Sequence, residues 1–521
     1  MPAQLTYPGV YIEEIPSGVR TITGVATSIT AFIGRALKGR TNEPFTITSF
    51  SDYERMFGGL WVESTMSYAV KDFFMNGGSQ AIIVRIEKDA TQAKGNIALV
   101  GSPPGPLVLK ANSSGVWGND ISVTIEEVVD PTVLLSPPSP PAPTDKFNLK
   151  VLVKTVVIEQ FLNVSLNSND ARYLPNVLKQ RSALIEAGTM ISAGQPLTPQ
   201  TVNFTSGSDG NPLESAGTQY LGSSSDQTGI YAFNKTDLFN LLCIPPPARG
   251  TDTATNVYQA ALALCVEKRA LLLVDAPNTW GDAISPTATG RAIIGLTTLG
   301  ITGVDARNAA LYFPLVQQSD PLKDGQIDTF VPCGIIAGIM SKTDTNRGVW
   351  KSPAGLDAGL VGVAGLQVNL TDKENGQLNP LGINCLRSFP VTGRVVWGAR
   401  TLRGADILAD EYKYVAVRRT TLFIEESLYR GTQWVVFEPN DEPLWAQIRL
   451  NIGAFMHNLF RQGAFQGTTP KEAYLVKCDK ETTTQNDINL GVVNILVGFA
   501  PLKPAEFVVI KIQQLAGQIE S

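Results

Sequence analysis

Residues Gly34–Thr41 come close to a phosphate-binding loop, the first motif along the chain that could carry chemistry. The segment has two glycines at the spacing G-x-x-x-x-G, but Arg40 stands where such loops require lysine. The loop should also open a helix whose amide groups and dipole hold the phosphate, whereas Asn42-Glu43-Pro44 leads into a predicted strand. The motif therefore predicts a structural turn and no nucleotide site.

Asp275 is the best-placed candidate for a catalytic acid or base. It follows the apolar run Ala270–Val274, and α/β enzymes place reactive groups at the carboxyl ends of such strands. A Ser-His-Asp triad also requires a histidine as general base. The chain has one histidine, His457, which lies far along the sequence in a predicted amphipathic helix, and no G-x-S-x-G turn stands out. We therefore predict that Asp275 is a structural residue capping the next segment, and that the protein is not an enzyme.

Metal coordination is poorly supported as well. One histidine and five scattered cysteines do not supply ligands at zinc spacing, so His457 is predicted to lie on or near a helix surface. Asp372, Glu374, Asn375 and Gly376 follow part of a calcium-loop pattern, but the ligands at its end are missing, which predicts a solvated turn. No cofactor and no metal are expected. The cysteines, each in an apolar context, are predicted to be reduced core residues: Cys243, Cys265, Cys333, Cys385 and Cys478.

The composition excludes several broad classes of protein. The chain of 521 residues is long enough for two to four domains. Hydrophobic residues make up 43% of the sequence and charged residues 17%, which is typical of a globular protein with a less charged surface than average. Such a surface fits either burial against neighbouring subunits or simply a large interior. A formal net charge of −5 without a long basic run argues against nucleic acid as the main partner. No apolar run reaches the roughly 18 residues of a membrane span, and the N-terminus lacks the features of a secretory signal.

The order of predicted elements indicates a mixed α/β and α+β multidomain protein. Strands alternate with helices in residues 26–90 and 226–374, with predicted strands at Ile29–Ile33, Ala81–Ile86, Ala270–Val274 and Ala309–Phe313 and a helix that Ser64 can cap. Together these segments predict an α/β middle domain with a parallel sheet covered on both faces. Residues 91–225 are rich in Pro, Ser, Thr, Gly and Asn and predict a β-rich outer insertion with long turns. Its predicted strands are Ile121–Val129, Phe147–Ile158 and Phe161–Leu166, and Pro137–Pro143 is predicted to be an exposed loop.

Residues 375–500 predict an α+β C-terminal domain. It would begin with two strands, Asn384–Phe389 and Gly393–Trp397, followed by a helix and a strand at Val435–Phe437. A long helix is then predicted, because Pro443 suits a first helical turn and apolar residues recur at helical spacing from Leu444 to Leu459. Further strand candidates lie in residues 471–479 and 491–499.

Both ends of the chain are β-prone but have no sheet of their own. In residues 1–25, Val10-Tyr11-Ile12 and Val19–Val25 are short β-prone runs flanked by proline and glycine turns. In residues 501–521, the segment Phe507–Ile512 predicts a strand beyond the last domain. Such segments are either unstructured termini or strands that join the sheet of another chain.

The C-terminal block Tyr412–Ile512 resembles a known family along its whole length. Its motifs are IEESL at Ile424–Leu428, WVVFEPN at Trp434–Asn440, LW at Leu444-Trp445, GAFQG at Gly463–Gly467, and AP-x-x-PAEFVV at Ala500–Val509, with VWKSPAG at Val349–Gly355 further upstream. In this order they resemble the contractile tail sheath proteins of myophages, pyocin-type particles and extracellular contractile injection systems.

The resemblance implies a subtilisin-like fold for the middle domain and strand-donating arms at residues 1–25 and 501–521. The arms would complete sheets in neighbouring subunits through Val10, Tyr11, Ile12, Phe507, Val508, Val509, Ile510 and Ile512. It also implies that the C-terminal domain faces a tail tube, for which Arg449, Arg461 and Lys471 are the candidate residues. The alternative for these three is a solvated polar face.

By this resemblance the chain is expected to polymerise helically around an inner tube and to contract, driving the tube through a target envelope. Its partners would be other copies of itself, the inner tube protein, and baseplate and terminal cap proteins, with no nucleic acid and no membrane insertion. It would be made in the bacterial cytoplasm as part of a phage tail or contractile particle. A static tail or shell protein would share the strand exchange but not the contraction. A soluble α/β hydrolase is disfavoured because the chain has a single histidine.

Overall fold

A computed structural model of the chain describes residues 20–98, 107–128, 146–188, 199–281 and 288–512. The predicted segments Val10-Tyr11-Ile12 and Pro137–Pro143 lie outside these ranges.

The helices are α1 (Phe50–Phe57), α2 (Thr65–Met75), α3 (Leu174–Arg181), α4 (Thr218–Leu221), α5 (Thr255–Glu267), α6 (Ala288–Thr298), α7 (Cys333–Arg347), α8 (Asp372–Leu378), α9 (Val415–Gly431), α10 (Glu442–Arg461), α11 (Pro470–Ala473) and α12 (Gln485–Asn489). The strands are β1 (Thr30–Gly34), β2 (Pro44–Ile47), β3 (Ala81–Arg85), β4 (Lys94–Ile97), β5 (Leu107–Ala111), β6 (Ile121–Glu127), β7 (Lys146–Val153), β8 (Val156–Ser165), β9 (Ile185–Ala187), β10 (Gln200–Asn203), β11 (Leu241–Cys243), β12 (Leu271–Asp275), β13 (Ala309–Phe313), β14 (Val316–Asp320), β15 (Gln326–Phe330), β16 (Gly365–Leu366), β17 (Ile383–Phe389), β18 (Gly393–Val396), β19 (Tyr474–Lys477) and β20 (Leu496–Phe499).

An eight-stranded sheet forms the centre of the molecule, in the order β18-β17-β13-β12-β11-β1-β3-β2. The six inner strands pair in parallel, and the two edge strands, β2 and β18, pair antiparallel with their neighbours. Every residue of β1, β3, β12 and β13 is buried, as expected for short apolar strands covered on both faces. Separate hydrophobic clusters cover the two faces, so the prediction of a covered parallel sheet is confirmed.

Helices α2 and α7 pack against each other on one face of this sheet. Ser64 caps α2, as predicted, by accepting a hydrogen bond from the Ser67 amide. The helices approach closely because Gly334 and Gly338 on α7 carry no side chain. A Cβ atom at Gly334 would lie 2.0 Å from the carbonyl oxygen of Ala69, and one at Gly338 would lie 2.5 Å from that of Phe73. Glycine at these positions therefore sets the distance between the two helices.

The insertion between β3 and β11 has two small antiparallel sheets, β4-β5-β9 and β10-β6-β7-β8. Its hydrophobic cluster runs from Ala93 to Phe204 and is separate from those of the central sheet. The single strand predicted over Phe147–Ile158 is wrong. The chain reverses direction at Lys154, whose φ is +58°. The predicted strand is therefore divided into the end of β7, a tight turn and the start of β8, which together form a hairpin. A run of β-prone residues across a tight turn is not resolved by periodicity alone.

Two further expectations about the C-terminal region are corrected. Strands β17 and β18 were expected to lead the domain 375–500, but β17 pairs in parallel with β13, so both strands belong to the central sheet. The predicted strand Val435–Phe437 is also wrong. Residues Gln433–Val435 form a 3₁₀ turn, and Phe437 has a φ of +71°, outside the extended region that a regular strand requires.

The remaining C-terminal elements, α9 to α12 with β19 and β20, share a fourth hydrophobic cluster. The cluster includes Trp445, Ile448, Ile452 and Met456 from the predicted apolar face of α10. Pro443 occupies the first turn of α10, as expected. Gly463 follows the end of the helix with a φ of +79°, a left-handed conformation typical of a glycine at a helix end. Of the helices in the described ranges, none is long and apolar enough to span a membrane.

Candidate inter-subunit interface

The residues that could have carried catalysis lie apart and make structural contacts. Asp275 ends β12, and its Oδ1 accepts a hydrogen bond from the Cys333 amide (2.9 Å), so it caps α7 rather than the segment that follows it. Burial raises the pKa of Asp275 to about 7. His457 lies exposed on α10, where its ring neighbours that of Phe460. The structure does not bring this histidine and this aspartate together.

The loop Gly34–Thr41 is organised around a buried cation instead of a phosphate. Arg85 donates from Nε to the Ala36 carbonyl (3.0 Å) and from Nη1 to the Gly39 carbonyl (2.6 Å). Carbonyl oxygens thus point at the guanidinium group, whereas a phosphate requires amide groups in that position. The chain then pairs at Thr41 with Arg85 and enters β2 without a helix.

Residues 372–376, which resembled part of a calcium loop, form the start of α8, so the predicted solvated turn is wrong. Thr371 and Glu374 make a reciprocal capping box there. Within the described ranges, no group of three or more His, Cys, Asp or Glu side chains is arranged to hold a metal ion. All five cysteines are free and buried, as predicted.

The C-terminal segment is fastened to the body of the protein at Glu506. Arg400, whose side chain is completely buried, donates from Nε to Oε1 (2.6 Å) and from Nη2 to Oε2 (2.7 Å) of Glu506. Tyr414 donates its hydroxyl to Oε2 (3.1 Å), and Asn379 donates its amide to Oε1 (3.2 Å). A two-pronged guanidinium–carboxylate pair of this kind fixes orientation as well as position. We call these contacts the Glu506 clamp.

The clamp has a definite charge state. Burial raises the pKa of Glu506, but hydrogen bonds from Arg400 and Asn379 outweigh it and hold the pKa below its usual value. Glu506 is therefore ionised at neutral pH, and the Arg400 guanidinium has a carboxylate to neutralise it.

Directly after the clamp, the chain leaves the body of the protein. Phe507, Val508, Val509, Ile510 and Ile512 are between 73% and 92% exposed. They form no secondary structure within this chain. A run of exposed aromatic and β-branched residues is unfavourable in water, which indicates that another surface covers it.

The N-terminal segment is held by a different part of the chain, the C-terminal unit formed by α9 to α12 with β19 and β20. The Arg20 amide donates to Asn451 (3.0 Å) on α10, and its guanidinium stacks on Trp434. Ile22 is buried against Gly431 of α9, and the Val25 amide donates to Ser427 (3.2 Å). Residues 20–25, expected to belong to a free arm with a strand at Val19–Val25, therefore pack on their own chain without forming a strand.

Strands β19 and β20 form a two-stranded antiparallel sheet close to the departing C-terminal segment. Ala500, next to β20, donates its amide to the Ala473 carbonyl (2.8 Å) and accepts from the Gln466 amide (2.9 Å). A two-stranded sheet has two outer edges with unpaired backbone groups, which can accept a further strand. Leu475 and Leu496 are exposed on this sheet.

The three basic residues predicted to face a tube do not form one stripe. Arg449 pairs with Glu442 (2.6 Å) and donates to the Cys478 carbonyl, so its charge is neutralised within the chain. At 3.6 residues per turn, Arg449 and Arg461 point about 120° apart around the axis of α10. Arg461, at the end of α10, and Lys471, in α11, are exposed. No ion pair involves either of them among the described residues.

Two features of the site were not found by sequence reasoning. The Glu506 clamp joins residues 106 positions apart, and the only local signal is an acidic residue directly before an apolar run. The conformation of Phe437 was missed because a positive φ is uncommon for an aromatic residue.

This architecture is that of a multidomain α/β subunit that displays an apolar C-terminal segment. Comparison with known proteins identifies the class. Residues 225–402 match the phage tail sheath protein central domain, and residues 409–514 match the phage tail sheath C-terminal domain. The chain belongs to the phage tail sheath family.

Individual relatives agree with this family. The tail sheath protein of Vibrio phage KVP40 is 28% identical over 217 residues, which are 40% of this chain and 31% of that protein. Among solved structures, the contracted sheath of the extracellular contractile injection system PVC matches with a TM-score of 0.58 and 21% identity over 98% of both chains. The contracted helical sheath of the anti-feeding prophage matches with a TM-score of 0.58 and 24% identity, over 98% of this chain and 99% of that one. The sheath tail protein of Listeria innocua matches with a TM-score of 0.60 and 13% identity, over 92% of this chain and 96% of that one. At these identities, the structural matches describe the fold.

Proposed function

We propose that this chain is the structural subunit of a contractile sheath, which polymerises helically around an inner tube and contracts to drive that tube through a target envelope. The observation that carries the proposal is the exposed segment Phe507–Ile512, held out from the body by the Glu506 clamp. Family membership supports it, because the relatives with this fold are tail sheath proteins.

The exposed segment acts as a strand for a neighbouring subunit. Its receptor is a free edge of the β19-β20 sheet in the next copy. A six-residue strand adds about three to six backbone hydrogen bonds, each contributing roughly 0.5–1.5 kcal/mol net. Side chains alternate across a strand, so either Phe507 and Val509, or Val508, Ile510 and Ile512, become buried. The contact joins different surfaces of identical subunits, and such heterologous contacts generate helical filaments when they do not close into a ring.

The N-terminal arm takes part in the same exchange through Val10, Tyr11 and Ile12. Because Arg20 and Ile22 are held by α9 and α10, these two residues do not take part in the exchange. The N-terminal arm then starts from the C-terminal unit, whereas the C-terminal arm starts at the Glu506 clamp, beside the end of the middle domain.

The domain assignment follows from this division of labour. Residues 26–90 and 226–402 form the α/β middle domain, with a subtilisin-like fold that carries no catalytic role. Residues 91–225 form the outer insertion, and residues 409–500 form the inner domain. Arg461 and Lys471 face the inner tube, whereas Arg449 is occupied by Glu442.

Contraction converts an extended, metastable lattice into a wider one. A signal from the baseplate releases the first ring, and subunits rotate outward as rigid bodies while the exchanged strands keep them joined. Each subunit needs a gain of only a few kcal/mol, because the gain is summed over the assembly and biases a two-state equilibrium. The particle is assembled in the bacterial cytoplasm with baseplate, tube and cap proteins.

Electron microscopy of the purified chain tests the proposal. We expect hollow tubes or stacked rings from the full chain, and monomers from a variant lacking residues 507–521, which keeps Glu506 and the folded body. A variant lacking only residues 513–521 is the matched control, and it should still assemble. Equal assembly of all three chains would contradict the role of the segment.

Particles fixed before and after triggering should have two diameters, whereas a single diameter would indicate a static shell. With tube protein added, Arg461→Glu should reduce tube binding, whereas Arg449→Gln should not.

A further inference from the structure

A protruding aromatic residue marks a second surface of the C-terminal unit. Phe437 is fully exposed, and Val436 beside it is 63% exposed. The φ of Phe437 is +71°, a left-handed conformation that is strained for an aromatic residue. We call residues Val436–Asp441 the Phe437 loop.

The surrounding structure fixes this strained conformation. The Glu438 amide donates to the Val435 carbonyl (3.2 Å), which closes the turn around Phe437. Asn440 accepts from the Trp445 indole (2.9 Å) and donates to the Val492 carbonyl (2.9 Å), which ties the loop to α10 and to the segment before β20. The backbone of Phe437 is thus kept in a strained conformation by hydrogen bonds to the residues on either side of it. Such fixed backbone strain is typical of functional positions. Aromatic side chains are also the commonest anchors of protein interfaces.

The loop also carries negative charge. Glu438 and Asp441 are exposed. Neither forms an ion pair with any residue that the structure describes. The loop thus combines an apolar tip with two free carboxylates.

A cleft of complementary character lies beside the departing C-terminal segment. Its volume is about 920 Å³, and its apolar lining includes Trp350, Trp397, Tyr414 and Leu502. Three cations on its rim take part in none of the described ion pairs: Arg347, Lys351 and Lys503. Its two carboxylates, Asp372 and Glu506, are each paired with an arginine, Arg387 and Arg400 respectively. The cleft thus combines an apolar interior with an excess of positive charge, which we call its basic rim.

The loop and the cleft lie at opposite ends of one helix. The Phe437 loop directly precedes α10, and Gln462 and Gly463, which line the cleft, directly follow it. A helix of 20 residues is about 30 Å long at 1.5 Å per residue. One chain therefore cannot place its own Phe437 in its own cleft.

We propose that Phe437 of one copy inserts into this cleft of the next copy, with Glu438 and Asp441 facing the basic rim. The occupant is a second copy of this chain, because each chain carries both halves of the match about one length of α10 apart. The apolar tip fits the apolar lining, and the acidic loop fits the basic rim. The contact is heterologous, so it repeats along a row of subunits. It rests on the proposed function, since it operates within the assembly. The inserted loop is separate from the exchanged strand, whereas the cleft borders the start of that strand, because Phe507 is one of its lining residues.

Disulfide trapping tests this contact directly. The five native cysteines are buried and free, so introduced surface cysteines are the ones that react. Copies carrying Phe437→Cys, mixed with copies carrying Lys503→Cys, should form a mixed disulfide dimer upon assembly and oxidation. A single chain with both substitutions should form a ladder of linked subunits. The matched control pairs Lys154→Cys, an exposed residue of the outer hairpin, with Lys503→Cys, and it should give no product.

The critical concentration for assembly gives a second measurement. Phe437→Gly removes the anchor and relieves the positive φ, so the chain should stay folded while its critical concentration rises about thirtyfold, as for an interface anchor. Lys154→Gly relieves a similar φ of +58° at the outer hairpin and should leave assembly unchanged. Charge reversal by Glu438→Lys or Lys503→Glu should each weaken assembly, and the double variant should recover it.

The outcomes separate this contact from the proposed function. Normal tubes without disulfide product, and with an unchanged critical concentration for Phe437→Gly, would overturn the contact and leave the sheath function standing. The same conclusion follows if Phe437→Gly impairs only the binding of tube protein, because the occupant would then not be a second copy. A wild-type chain that forms no tubes, even with tube protein present, would overturn both.

Discussion

Removing the carboxylate of the Glu506 clamp is expected to loosen the C-terminal segment without unfolding the protein. The informative change is Glu506→Ala, because it leaves Arg400 buried without its main partner. Amides next to the clamp should then exchange with solvent much faster, because the segment can peel away from the body.

The expected size of the effect follows from burial and from the remaining partners. Removing one member of a buried ion pair costs about 3–5 kcal/mol. Here Arg400 keeps Asp406 (3.0 Å) and the carbonyls of Asn379 and Gly404, so we expect a smaller cost of about 2–3 kcal/mol, just below that range. At 1.4 kcal/mol per factor of ten, exchange should accelerate about 30- to 150-fold.

Hydrogen–deuterium exchange of the full-length monomer measures this effect. The reporters are the Ala500 amide, bonded to the Ala473 carbonyl, and the Gln466 amide, bonded to the Ala500 carbonyl, because both open when the segment peels back. Glu442→Gln is the matched control. Its pair with Arg449 is exposed, so its loss should cost below about 1 kcal/mol and leave both reporters unchanged.

The pH dependence of exchange provides an internal check. The pKa of Glu506 is lowered in the folded protein, so the clamp contributes fully above pH 4.5, the ordinary value for glutamate, and its contribution is lost as the pH falls through the folded pKa. Wild-type exchange at the reporters should therefore approach that of Glu506→Ala in acid. Reporter exchange that changes less than about threefold in Glu506→Ala at neutral pH would refute the clamp as the attachment of the segment.

Two further predictions concern the body of the protein. Gly338→Ala should destabilise the fold by roughly 1–3 kcal/mol in urea titration, because its Cβ would meet the Phe73 carbonyl oxygen, whereas Gly453→Ala on the open face of α10 should stabilise it by about 0.5–1 kcal/mol. Similar midpoints for the two variants would mean that the α2–α7 contact is not close-packed. The folded pKa of Asp275, about 7, is above its ordinary value, so its contribution is fully present below pH 3.8 and is lost as the pH rises to about 7. Asp275→Asn, which keeps the oxygen that accepts from Cys333, should therefore gain stability relative to wild type between pH 5 and pH 8. An unchanged difference between those two pH values would show that Asp275 does not titrate in this range.

The sequence predicted the elements whose apolar residues follow a clear period. The buried strands near Ile33, Val84, Leu273 and Leu311 and the long helix α10 all lie close to the expected residues. Capping chemistry was equally informative where side chain and backbone agree, as at Ser64. In these places local propensity and tertiary packing favour the same conformation.

The sequence failed where a distant contact decides the local structure. Strands β17 and β18 were assigned to the wrong domain, because their parallel partner β13 lies some seventy residues earlier and leaves no local signal. The segment Val435–Phe437 is β-prone, but the fixed positions of Trp434 and Asn440 impose a turn. The roles of Arg449, Arg461 and Lys471 at a tube stay predictions, and within this chain Arg449 pairs with Glu442 on the same helix. The pairing of terminal segments with other subunits stays a prediction, because strand exchange depends on chains beyond this one.

The most direct measurement is a cryo-electron microscopy map of the tubes that the purified chain forms, at a resolution that traces the backbone. The account predicts that residues 507–512 pair as a strand with an edge of the β19-β20 sheet in a neighbouring copy, while Glu506 stays bound to Arg400 of its own chain. A map in which both edges of that sheet stay unpaired, or in which residues 507–512 fold back onto their own subunit, would contradict the account.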